Sequence, residues 1–159
     1  MREQFVAAFT IGLIVVAVAV GGILYMQRGA QMDLTGPMSV RVLPTDADTA
    51  LALVNLRITN PAAYGFTVHN VTVTLETKDG ELSRGIVSRV DAQRFFDATP
   101  DAGPFHPTLY TNAVIPAHST ADYTLASQFS LPEKMLKDRK RFVARIEEIN
   151  GKIAEFSEK

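Results

Sequence analysis

The chain predicts an all-β fold, an antiparallel immunoglobulin- or fibronectin-III-like β-sandwich, preceded by one N-terminal transmembrane helix. Three observations predict it. An uncharged apolar run extends from Phe5 to Met26. As a helix rising about 1.5 Å per residue, it is long enough to cross a hydrocarbon core roughly 30 Å thick. Beyond it, short stretches rich in Val, Thr, Ile and Leu alternate apolar and polar residues, the period of a half-buried strand. Turn signals separate these stretches, among them Asp79-Gly80 and Asn150-Gly151.

The apolar run comes first. Thr10 is its one aliphatic hydroxyl, and a helix satisfies such a group by bonding it back to a carbonyl one turn earlier. Arg2 gives a weak basic start, and Ala17-Val18-Ala19 offers a small-x-small cleavage site. The run nevertheless continues through Gly21, Ile23, Leu24 and Tyr25, so its length predicts an uncleaved signal-anchor, residues 1–27. Arg2 and Arg28 flank it and do not decide orientation. The short leading tail favours a single-pass protein with its C-terminal domain outside the cytoplasm, in the periplasm. Ala8 with Gly12, and Ala17 with Gly21, have the small-xxx-small spacing that lets helices approach in lipid. They allow self-association or packing against other spans; Ala and Gly are also simply common in spans.

Residues 28–38 read as a linker, and residues 39–159 as one compact domain. Lys plus Arg total 16 against 17 for Asp plus Glu, so no broad positive field exists for nucleic acid. The absence of cysteine excludes disulfide staples and lipoprotein processing.

Within the domain, Ser39 to Thr45 places Val40 and Val42 opposite Arg41. Ala50 to Asn60 divides into Leu51, Leu53, Asn55, Arg57 and Thr59 on one face and Ala52, Val54, Leu56 and Ile58 on the other, the expected core face. Val68 to Lys78 sets Val71, Val73 and Leu75 against Thr72, Thr74 and Glu76. After the turn at Lys78-Asp79-Gly80-Glu81, a strand is expected over Ser83 to Val90. Asp91 to Phe96 reads as a short helical turn and Asp97 to Pro107 as a long loop. Leu109 to Ile115 and Thr120 to Phe129 are further strands. Pro132 to Arg141 reads as a helix, with Ser130 as N-cap or Pro132 in its first turn. Phe142 to Ile149 and Lys152 to Phe156 flank Asn150-Gly151, the signature of a two-residue hairpin turn.

Leu51 to Pro61, ending in Asn60-Pro61, followed by Phe66 to Leu75 with its alternating Val and Leu, resembles the water stress and hypersensitive response (WHy) family, the late-embryogenesis-abundant type 2 domain. The later turn Ile115-Pro116-Ala117-His118-Ser119-Thr120 is similar to that family's Ile-Pro-Ala turn. The resemblance covers roughly Val40 to Phe129 and departs from the pattern around Asp91 to Pro107. It implies a β-sandwich and a non-enzymatic protein associated with desiccation, cold or other stress. It carries no catalytic residues over. Asn60, Pro61, Ile115, Pro116 and Ala117 match its motifs and are expected to be structural, Asn60 bonding nearby backbone and Pro61 fixing the exit angle.

Residues with chemistry to offer are sparse. His69, His106 and His118 lack metal-ligand spacing, and Asp97 and Asp101 do not follow a calcium-loop pattern. No nucleophile elbow, zinc-protease motif or phosphate-cradling loop occurs. The sequence therefore predicts no catalytic site, no metal and no cofactor. Phe95, Phe96, Phe105 and Tyr110 cluster around the long loop. They form either a patch for a partner or lipid, or a plug over an open end of the sandwich. Lys134, Lys137, Arg139, Lys140 and Arg141 form a run that reads as headgroup-contacting or as an ordinary solvated surface. Asn70-Val71-Thr72 matches a glycosylation acceptor but lies mid-strand. The expected function is a membrane-anchored binding or stress-protective module at the cell envelope. The alternative is a small accessory subunit of a larger membrane complex.

Overall fold

A computed structural model describes residues 12–24, 33–99 and 102–158. The chain divides into two units, residues 1–32 and 33–159. In the first, residues 12–24 form helix α1, and every one of them is exposed. Among the described residues no helix is long and apolar enough to cross a membrane. The ends of the expected span, residues 5–11 and 25–26, lie outside the described residues.

The second unit is all-β, built of two antiparallel sheets. Its strands are β1 (Met38–Asp46), β2 (Thr49–Asn60), β3 (Phe66–Glu76), β4 (Glu81–Gly85), β5 (Val114–Ile115), β6 (Ser119–Phe129), β7 (Arg141–Glu148) and β8 (Ile153–Ser157). Two helices interrupt them, α2 (Arg89–Ala98) and α3 (Glu133–Lys137). One sheet has the order β1-β2-β6; the other has β4-β3-β7-β8, with β5 also paired to β3. Their facing sides share one core. Ala52, Val54, Leu56 and Ile58 of β2 and Leu125 and Phe129 of β6 pack with Val71, Val73 and Leu75 of β3 and Phe142 and Ile146 of β7. The apolar faces expected for β2 and β3 thus point into the core, and Val40 and Val42 of β1 pack against it.

Several expectations are corrected. The β unit begins before residue 39: Leu34 is buried in the core and Thr35 bridges Thr59. Gly36 sits with φ +152° so close to the Arg57 carbonyl that a Cβ would overlap it. The second face of β2 is not left to solvent, because Leu51 and Leu53 are buried in a second cluster with Ala92, Phe96, Ala102 and Ala126. The strand expected over Ser83 to Val90 ends at Gly85, where the chain changes sheets. The Gly85 carbonyl accepts from the Ser127 hydroxyl (3.0 Å), and the Val87 amide donates to the Ala126 carbonyl (2.8 Å).

Leu109 to Ile115 is not continuous either. A turn closes from the Ala113 amide to the Tyr110 carbonyl (2.9 Å) with Asn112 at φ +68°, leaving only Val114–Ile115 to pair. The helix expected over Pro132 to Arg141 shrinks to α3, with Pro132 at the N-cap and no side-chain cap bond; Ser130 plays no part in the cap. The β7–β8 turn is one residue longer than the expected form. The Glu148 carbonyl accepts from the Gly151 amide (2.8 Å), and the Glu148 amide bonds the Lys152 carbonyl (2.7 Å). Gly151 alone has positive φ there, +86°, the arrangement of a three-residue loop ending in a glycine bulge.

Candidate functional site

Helix α2 and the loop after it form the most featured surface of the β unit. Ser88 starts the helix: its hydroxyl accepts from the Asp91 amide (3.2 Å) and donates to Asp91 Oδ2 (2.6 Å), which satisfies an otherwise unpaired first-turn donor. Ala92 and Phe96, one turn apart, face inward onto Leu51, Leu53 and Ala126. The loop is pinned over the same sheet by Thr124. That hydroxyl donates to Asn55 Oδ1 (2.8 Å) and accepts from the His106 amide (3.0 Å), and the Thr124 amide donates to the Pro107 carbonyl (3.3 Å).

These bonds set Phe105 against Phe96, with ring centroids 4.2 Å apart, while Phe95 meets Phe96 edge-on at 6.0 Å. Phe96 is buried, and Phe95 and Phe105 are half-buried. The three rings cover the outer face of the three-stranded sheet rather than an end between the sheets. Tyr110 remains exposed, with the Arg89 guanidinium 5.8 Å from its ring centroid.

Between α2 and residues 105–108 runs an open cleft of about 450 Å3, lined by Arg89, Val90, Gln93, Arg94, Phe105, Pro107 and Thr108. Gln93 donates to Asp97 Oδ1 (2.9 Å), and Arg94 lies 4.0 Å from Asp91. Thr108 is 3% exposed, and its hydroxyl has no hydrogen-bond partner among the described residues. Guanidinium groups beside phenyl and proline surfaces suit an anionic group carried on an apolar body. Sequence reasoning reached Phe105 and missed Arg89, Arg94, Thr108 and the pinning residue Thr124. The signal for the two arginines is the helical spacing of Arg89, Val90, Gln93 and Arg94, which the expected strand over Ser83 to Val90 obscured; Thr108 and Thr124 carry no such local signal.

A second feature joins the motif loops. Asn60, 1% exposed, donates through Nδ2 to the carbonyls of Tyr64 (3.0 Å), Ile115 (3.1 Å) and Pro116 (3.0 Å), and accepts through Oδ1 from the Ala62 amide (3.1 Å). The His118 amide donates to the Ala62 carbonyl (3.2 Å), with His118 in the left-handed region at φ +49°. Residues 60–64 and 115–118 are therefore one bonded unit holding Asn60, Pro61, Ile115, Pro116 and Ala117 together. His69, His106 and His118 stay on separate elements, and no three His, Asp or Glu side chains converge among the described residues.

Three cations of the basic run are held in ion pairs. Lys137 meets Glu133 (2.6 Å), Arg141 meets Glu76 (2.7 Å), and Arg139 pairs with Glu158 while its guanidinium lies 5.0 Å from the Phe142 ring centroid.

No protein family profile matches the chain, and no curated protein matches it either. Two solved structures are similar in part. One is a Northeast Structural Genomics Consortium target, SoR45, with TM-score 0.40 and 10% identity over 80% of this chain and 82% of that one. The other is a Bordetella pertussis protein provisionally named ApaA, with TM-score 0.37 and 15% identity over 80% of this chain and 89% of that one.

Proposed function

We propose that the chain is a membrane-tethered, non-enzymatic β-sandwich of the immunoglobulin or fibronectin III kind. It acts as a binding or stress-protective module at the cell envelope, with its β unit outside the cytoplasm. The observation that carries this reading is α1. Leu13, Ile14, Val15, Val16, Val18, Val20, Ile23 and Leu24 are each at least half exposed, on a helix with no polar face. A helix apolar all round needs a nonaqueous environment on every side, and the flanking sequence extends the same character from Phe5 to Met26. The WHy-like motifs around Asn60 and Ile115 support the stress-protective part. The cleft beside α2 supports binding, with an anionic amphiphile as its ligand class.

The test uses the full chain in native membranes washed with alkaline carbonate. The wild-type chain is expected to stay in the membrane, and Ile14→Asp combined with Val18→Asp to release it. Release of the wild-type chain itself would end the membrane reading. For the stress role, client enzymes dried beside the full chain in vesicles should keep more activity than beside empty vesicles; equal losses would remove that role. The accessory-subunit reading is favoured by Ala17 and Gly21, one turn apart on the exposed helix, where a Cβ at Gly21 would touch nothing within 4 Å. Purification from native membranes in mild detergent would then retain partners at fixed stoichiometry.

A further inference from the structure

The membrane reading leaves open which part of the β unit meets the bilayer, and the fold carries an answer. Val114 and Ile149 flank Thr67 of β3 on opposite sides: Val114 pairs with Thr67 in β5, and the Ile149 amide donates to the Thr67 carbonyl (3.1 Å). Ile153 opens the neighbouring strand β8, paired with Glu147. Val114, Ile149 and Ile153 are 58%, 64% and 53% exposed. The residues next to Val114 and Ile153 in sequence, Ile115 and Ala154, are in the core, so alternation sends Val114 and Ile153 to the outer face. Val114 and Ile153 thus project from one end of the outer face of the larger sheet, and Ile149 is exposed in the β7–β8 turn at the same end.

That end is also where the polypeptide joins the β unit. Lys152, between Ile149 and Ile153, pairs with Asp33 (3.2 Å), and Thr35 bridges Thr59 near the end of β2.

We infer that the end of the β unit carrying Val114, Ile149 and Ile153 docks on the lipid headgroup layer, the aliphatic side chains seated in the interface. This rests on the membrane-tether reading, and the experiment separates the two. The chain has no cysteine, so single cysteines can carry a bimane fluorophore without background. The full chain is reconstituted in vesicles containing doxyl-labelled lipid, with the label at I149C, I153C or V114C. Val16→Cys serves as the anchor probe, and Lys78→Cys marks the β3–β4 turn at the far end.

Quenching at 149, 153 and 114 is expected to be several-fold above that at 78 and to approach that at 16. Loss of quenching at 114 on adding Ile149→Asp and Ile153→Asp, with quenching at 16 unchanged, supports the same conclusion. Strong quenching at 16 with 149 no higher than 78 overturns the docking and leaves the anchor standing. No quenching at 16 overturns the anchor, and the docking with it. Shielding of 149 from aqueous iodide without lipid quenching assigns the patch to a protein partner and overturns lipid docking.

Discussion

One side-chain amide, that of Asn60, bonds backbone groups on both motif loops. Its Nδ2 and Oδ1 serve four backbone groups on two loops that are far apart in sequence. Asn60→Ala leaves buried carbonyls unpaired and should cost about 1–3 kcal/mol. Asn60→Asp, which sets a carboxylate against three carbonyl oxygens, should cost more. Thermal unfolding of the detergent-solubilised full chain, followed by circular dichroism, checks both. The sequence made Asn60 legible as a structural turn residue, but its reach to Ile115 and Pro116 depends on the chain folding back and has no local signal. Glu76 adds a pH dependence. Its hydrogen bond to Arg141 holds its carboxyl below the ordinary 4.5, with that cation's charge adding to the effect. A carboxyl depressed in the folded state stabilises the fold above its unfolded value, and that contribution disappears as acid protonates it. The difference in melting temperature between wild type and Glu76→Gln should therefore be present at neutral pH and shrink as pH falls below that value. A difference that holds constant into acid would contradict this role.

At the scale of elements, α2 is a lid on a strand that the period-two pattern mistook for half-solvated. Leu51 and Leu53 alternate with the main core residues, and alternation alone assigned them to water. They are buried because Phe96 and Ala92 come down on them from a helix about 40 residues later. Phe96→Ala should cost about 3–5 kcal/mol as a core truncation, and Ser88→Ala about 1 kcal/mol as a lost cap. Equilibrium urea unfolding of the full chain in detergent measures both, and equal effects of the two would mean the helix is not packed as described. The failures elsewhere have the same physical root. Leu109 to Ile115 has strand composition, yet Asn112 takes a left-handed turn to bond Val68. The segment after Ser83 reads as one strand, but its hydrogen bonds go to two different sheets.

For the molecule as a whole, the all-β character and the core-facing residues of β2 and β3 were readable from residue alternation, whereas the order of strands was not. Nothing local in β3 says that its neighbours are β4, β5 and β7. Removing residues 151–159 deletes β8 and the Glu158 partner of Arg139, and leaves β7 as a bare edge. The truncated chain should lose cooperative melting and aggregate, which size-exclusion chromatography in detergent would show; an unaltered melt would make β8 dispensable. The same strand order governs when folding can happen. β2 waits for β6, whose pairing runs from Asn60–Ser119 to Ala50–Phe129, and β3 waits for β7, which begins at Arg141. Until β6 has left the ribosome, only the β1–β2, β3–β4 and β3–β5 pairings can close among the described strands. Such non-local pairing is slow, on the scale of milliseconds to seconds. The nascent chain therefore holds only local hairpins for most of its synthesis, and its two sheets are completed together at the end.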